Sequence, residues 1–92
     1  MSETLTDNVA RGRFELGTDG AKGFIDYLRS GSTLFLNHVE VPTALAGQGL
    51  GTRLVRGALD LIRSRGERMV PVCPFIKAFV RRYPAYADLG VE

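Results

Sequence analysis

One cysteine, one histidine and no tryptophan occur among the 92 residues of this chain. A lone cysteine closes no disulfide within the chain and cannot build a cysteine-based structural zinc site, so no metal site is expected. No stretch reaches the ~18 consecutive apolar residues of a membrane-spanning helix. The opening Met1-Ser2-Glu3-Thr4 is polar and acidic where a secretory leader would be basic and then apolar. These absences point to a cytoplasmic protein. Charge of one sign is also scarce. Twelve basic residues face ten acidic ones, a net +2, which without a basic stripe disfavours nucleic acid as partner. What is present is an ordinary globular composition, 45% hydrophobic and 24% charged. The chain is long enough for one unstapled core and too short for two domains.

Hydrophobic periodicity divides the chain into elements. Residues 1–7 are polar and are expected to be disordered, with a single domain over 8–92. Asn8 to Leu16 reads as a strand with Ala10, Phe14 and Leu16 on one face. Gly17-Thr18-Asp19-Gly20 is a turn cluster. Residues 21–29 alternate again, Phe24 and Leu28 opposite Ile25 and Tyr27. After Ser30-Gly31-Ser32, residues 33–41 form the most apolar strand, and its alternation sets His38 on the face of Leu34 and Leu36. Short turns between three strands predict an antiparallel meander. Pro42 ends it. Leu50, Leu54, Ala58, Leu61 and Ile62 then recur at helical spacing, with Val55 and Leu59 beside them, in a helix over 49–65 closed by Gly66. A short buried strand spans 69–72. Pro74 opens a second helix whose apolar face is Phe75, Ile76, Phe79 and Val80, and Pro84 ends it. The order β-β-β-α-β-α predicts an α/β fold in which a crossover sets the last strand parallel to its neighbour.

The informative stretch is a strand leading through a Gly-rich loop, Gly47-Gln48-Gly49-Leu50-Gly51, into an amphipathic helix. Glycines there let a ligand approach the backbone. The first helical N–H groups and the helix dipole favour an anion such as a pyrophosphate. A P-loop would need Lys where this chain continues Gly51-Thr52-Arg53, and the dinucleotide spacing G-x-G-x-x-G fails at Thr52. The loop instead resembles the acetyl-CoA pyrophosphate loop of the GNAT superfamily, Q/R-x-x-G-x-G/A. Gly49 and Gly51 match its small positions, while Ala46 replaces the leading Gln or Arg. With His38, Val39-x-Val41-Pro42, Leu54-Val55, Val70-x-Val72-Cys73-Pro74-Phe75 and Tyr86-x-Asp88-Leu89, the resemblance to the small single-domain branch extends over residues 8–89.

That resemblance implies a minimal GNAT-like fold and an acetyl-CoA-dependent N-acetyltransferase acting on an amine, as monomer or homodimer. Larger members carry further helices and strands that help bind the acceptor, so a second copy or the acceptor itself is expected to complete the site here. The strand before the loop would diverge from the strand after the helix. Val39 and Val41 would pair with the pantetheine amides, Gly47, Gln48, Gly49, Leu50, Gly51 and Thr52 would hold the pyrophosphate, and Arg53 would meet a phosphate. His38 is the candidate base, histidine being the residue type most often used for proton transfer in catalysis, and Glu40 is the alternative. Cys73, just before a helix N-terminus, is the candidate thiol for a covalent route. Tyr83 and Tyr86 are assigned to packing. From a different functional class, an acyl-CoA-binding module without turnover would use the same cofactor residues.

Overall fold

The computed structural model describes residues 4–18 and 20–90; Met1 to Glu3, Asp19 and the last two residues lie outside it. Five strands make one sheet in sequence order: β1 (Thr6–Asn8), β2 (Arg13–Thr18), β3 (Ala21–Ser30), β4 (Thr33–Glu40) and β5 (Arg68–Pro71). The first four pair antiparallel and β5 pairs parallel to β4. Two helices, α1 (Leu50–Ser64) and α2 (Pro74–Arg82), complete the architecture with short 3-10 turns at Val9–Arg11, Thr43–Leu45 and Pro84–Leu89. The meander and the parallel crossover strand are as the sequence predicts.

The first strand differs from expectation. The Asn8 side chain accepts from Arg11 N–H at 3.3 Å and Gly12 takes a φ of +66°, so the chain turns back between residues 8 and 13. One expected strand becomes two, and Ala10 is exposed at the turn instead of sharing a face with Phe14 and Leu16. The segment before it is tied down where a loose end is expected. Asp7 accepts from the Tyr27 hydroxyl at 2.6 Å and from Arg65 at 2.8 Å, and Leu5 packs against the core.

Strand alternation puts Phe14, Leu16, Ile25, Leu34 and Leu36 on one side, where they join Leu54, Val55, Leu59 and Ile62 of α1 and Ile76 and Phe79 of α2 in a single buried cluster. Each large aliphatic there contributes on the order of 1.5–3 kcal/mol by leaving water. Both helices therefore cover one face of the sheet. The opposite face carries Arg13, Glu15, Phe24, Asp26, Leu28, Phe35 and Val70, with Leu28 63% exposed.

Two irregularities shape β4. Opposite β3, Tyr27 faces Leu36 but Asp26 faces His38, so Asn37 is an extra residue, a β-bulge. Bulges are common beside active sites because they re-aim side chains. On the other side, β5 pairs only from Thr33↔Arg68 to Leu36↔Pro71. Pro71 has no N–H to continue the ladder, and Pro74 starts α2 two residues after Val72. The amides of Val72 and Cys73 both close on the Leu36 carbonyl, at 3.1 and 3.0 Å, and the chain leaves the sheet. From Asn37 onward β4 has no ladder partner on that side among the described residues.

Candidate active site

The Gly-rich loop lies beside this open edge of β4. Gly49 is the N-cap of α1 in the left-handed region, φ +77°, where an L side chain is strained. The first intrahelical bond runs from Arg53 N–H to the Gly49 carbonyl, so the amides of residues 49–52 have no partner inside the helix. No side chain caps them, and no acidic residue occupies the first turn. Arg53 is drawn back onto the loop, its Nη1 donating to the Gln48 carbonyl at 2.7 Å.

An open pocket of about 250 Å³ runs along the loop, lined by Val41, Leu45, Gly49, Gly51, Thr52 and Phe75 among others. A second, of about 300 Å³, lies between α1 and α2 and is lined by Thr52, Phe75, Ala78, Phe79, Arg82 and Tyr83. The two share Thr52 and Phe75. A Cβ on Gly51 would stand 3.0 Å from Phe75 Cζ and 3.5 Å from a Val41 methyl, so the glycine lets the ring close over the start of the helix.

A matching family model of the GCN5-related N-acetyl-transferases spans residues 13–89. The chain belongs to that family. Protein NATD1 of Bos taurus is 37% identical over 49 residues. That match covers 53% of this chain and 43% of NATD1, so the chain spans under half of that relative's length. A solution structure of a GCN5-like protein from Staphylococcus aureus superposes with a TM-score of 0.69 at 23% identity, covering 97% of this chain and 90% of that one. At that identity the likeness speaks for the fold, which is GNAT-like.

Within this GNAT frame the bulge overturns the expected position of His38. Strict alternation puts it with Leu34 and Leu36 on the helix-covered face. The extra residue Asn37 reverses the phase, so His38 faces Asp26 on the opposite side, and Val39, opposite Ile25, turns toward the core. Across that open face run two rows, Arg13–Asp26–His38 and Glu15–Phe24–Glu40. His38 is 54% exposed, its Nε2 lies 3.4 Å from Glu40 Oε1, and its ring is 6.2 Å from that of Phe24. Arg13 stacks on Phe24 at 4.4 Å and pairs with Glu15. Burial pushes the Glu15 carboxyl up, but hydrogen bonds from Arg13 and Asn8 and the nearby positive charges outweigh it and leave it below the usual range.

Cys73 is brought to the point where β4 and β5 part, through its bond to Leu36, but its side chain is 7% exposed within the core cluster. His38 and Cys73 thus occupy opposite sides of the sheet. Tyr83 and Tyr86 pack on Phe79 with ring centroids 4.7 and 5.6 Å away. The Tyr86 hydroxyl donates to Asp60 at 2.8 Å, and burial followed by that bond raises its pKa. Phe75 departs from expectation. It is 45% exposed at the junction of the two pockets, not part of the buried face of α2. Its neighbour Ile76 takes the core position, and the i, i+4 pair Phe75–Phe79 straddles the edge of the apolar stripe, which made both assignments compatible with the spacing. Phe24 and Asp26 were also missed, because only the strand register sets them beside His38.

Proposed function

We propose that this chain is an acetyl-CoA-dependent N-acetyltransferase that transfers the acetyl group directly to an amine. The observation that carries the reading is the open edge of β4 running into the uncapped N-terminus of α1. The residues fit coenzyme A. Helix donors with no acidic residue in the first turn suit its pyrophosphate, and the apolar loop pocket, bounded by Val41 and the Phe75 ring that packs against Gly51, suits its arm. Gly47, Gln48, Gly49, Leu50, Gly51 and Thr52 hold the pyrophosphate, Arg53 adds positive charge, and the backbone of Val39 and Val41 binds the pantetheine amides.

Bound acetyl-CoA supplies an activated acyl carbon. The acceptor nitrogen would bond to that carbon, its carbonyl oxygen would take up the negative charge, and the carbon–sulfur bond would then break with coenzyme A leaving as the thiolate. His38 takes the proton lost by the amine, and Glu40, within 3.4 Å, stabilises the imidazolium that results. Glu40 serves as base in its place if the acceptor binds beyond the imidazole. Backbone donors of β4 past the bulge, Val39 among them, stabilise the oxyanion. A two-step route through acetyl-Cys73 is the second reading, favoured by the position of that residue where the strands part.

The test is the thermal midpoint with acetyl-CoA and CoA against ATP and NAD, followed by thiol release with a panel of amines. Ligand at about 100 times its Kd adds roughly 2.7 kcal/mol, a rise on the order of 10 °C or more for a domain this small. No shift at millimolar acetyl-CoA overturns the proposal. A shift without thiol release turns it into an acyl-CoA-binding module.

A further inference from the structure

Most arginines that meet a carboxylate in this fold are held by it. Arg13 pairs with Glu15, Arg29 with Glu67, Arg63 with Asp88 and Arg65 with Asp7. Arg56 and Arg82 differ. Among the described residues neither makes an ion pair; each rests on the Tyr83 ring, with Cζ 5.2 and 5.8 Å from its centroid. They come from different helices, Arg56 from the middle of α1 and Arg82 from the last turn of α2. Tyr83 and Arg82 also line the pocket of about 300 Å³ between those helices, whose near end is Thr52 and Phe75 at the phosphate loop. The groove therefore leads away from the point where β4 and β5 part, which lies at the other end of α2. It ends at Arg82 and Tyr83, the ring on which Arg56 of α1 also rests, and both arginines are exposed. A guanidinium matches a phosphate monoester, which it can grip through paired N–H donors.

We propose that Arg56 and Arg82, braced on Tyr83, bind the 3′-phosphate of coenzyme A, so that the chain distinguishes CoA from 3′-dephospho-CoA. The inference rests on the coenzyme reading above. A ligand held at residues 47–52 by its pyrophosphate projects its acyl arm toward β4 and its ribose phosphate along this groove. Arginines at the end of α2 also complement the helix dipole, but that role is indifferent to the ligand.

Calorimetric titration with CoA and with 3′-dephospho-CoA tests it, on the wild-type chain and on R56Q/R82Q, with single R82Q as a second variant. Wild type is expected to bind CoA about tenfold more tightly at low salt, with the gap closing as salt screens it. The double variant is expected to bind CoA as weakly as wild type binds 3′-dephospho-CoA, with no loss for the latter, and R82Q to fall between. Equal affinity of wild type for the two ligands overturns the inference and leaves the coenzyme reading standing, as does a double variant that loses both ligands alike. If neither ligand binds the wild type, both proposals fall.

Discussion

The two halves of β4, mostly apolar Thr33–Leu36 and mostly polar Asn37–Glu40, do opposite things. From Thr33 to Leu36 the strand has partners on both sides, and Leu34 and Leu36 are fully buried. From Asn37 to Glu40 it is paired on one side only, its phase is reversed by a bulge, and His38 and Glu40 stand in the open. The first half is held by hydrogen bonds and packing and has little freedom to bind anything. The second keeps the rigidity of a strand fixed to β3 while leaving a backbone edge unclaimed. A single inserted residue and a proline in the neighbouring strand separate the scaffold from the candidate site.

The contrast predicts a steep change in mutational cost along four residues. Leu36→Ala empties a fully buried position and should destabilise by about 2–5 kcal/mol, lowering the midpoint by roughly 10 °C or more. Asn37→Ala, one residue on and exposed, should cost under about 1 kcal/mol. Urea unfolding of the pair checks this, and equal losses would erase the boundary. Activity should show the reverse pattern. His38→Gln should leave stability within about 0.5 kcal/mol of wild type and lower kcat by roughly 10²–10⁴-fold. Cys73→Ser should keep most turnover, which steady-state thiol release measures; loss of all turnover in a folded Cys73→Ser chain would favour the covalent route instead.

The smallest expected effect comes from acid. The buried half of β4, Thr33–Leu36, holds no titratable side chain, so pH acts on the open face. Glu15 has its pKa lowered by Arg13 and Asn8 against the upward push of burial. A carboxyl depressed in the folded state contributes stability that is complete above its unfolded pKa, near 4.3, and is lost as pH falls through the lower folded value. A shallow decline in midpoint below about pH 4 should therefore shrink in Glu15→Gln. The Arg63–Asp88 pair, which lowers the Asp88 pKa through its hydrogen bonds, adds to the decline in the same direction. An unchanged profile in Glu15→Gln would remove the open face from the acid response.

The helical periods of α1 and the parallel crossover were readable because each rests on many residues in phase. The bulge was harder, since Asn37 is polar beside polar His38 and breaks no visible alternation. A trace of it exists: the core-facing apolar positions move from even, Leu34 and Leu36, to odd, Val39 and Val41. That parity change is the local mark of an extra residue. The turn at Asn8–Gly12 hid for a different reason. Side-chain capping by Asn8 competes with strand continuation, and the pattern on either side is compatible with both. The loop glycines were legible as a motif, whereas Phe75 and the groove to Tyr83 depend on how two helices meet, which no spacing within one helix encodes.

The brevity of β1 has its own consequence. Its three residues cover Arg13, Phe14 and Glu15 of β2, and Leu16 to Thr18 have no outer partner among the described residues. The cover is held largely from outside the strand, by Asp7 reaching Tyr27 and Arg65. If those two bonds give way, a β2 edge becomes a template on which another chain can add a strand. Asp7, through its bonds to Tyr27 and Arg65, thus helps keep the outer edge of β2 covered.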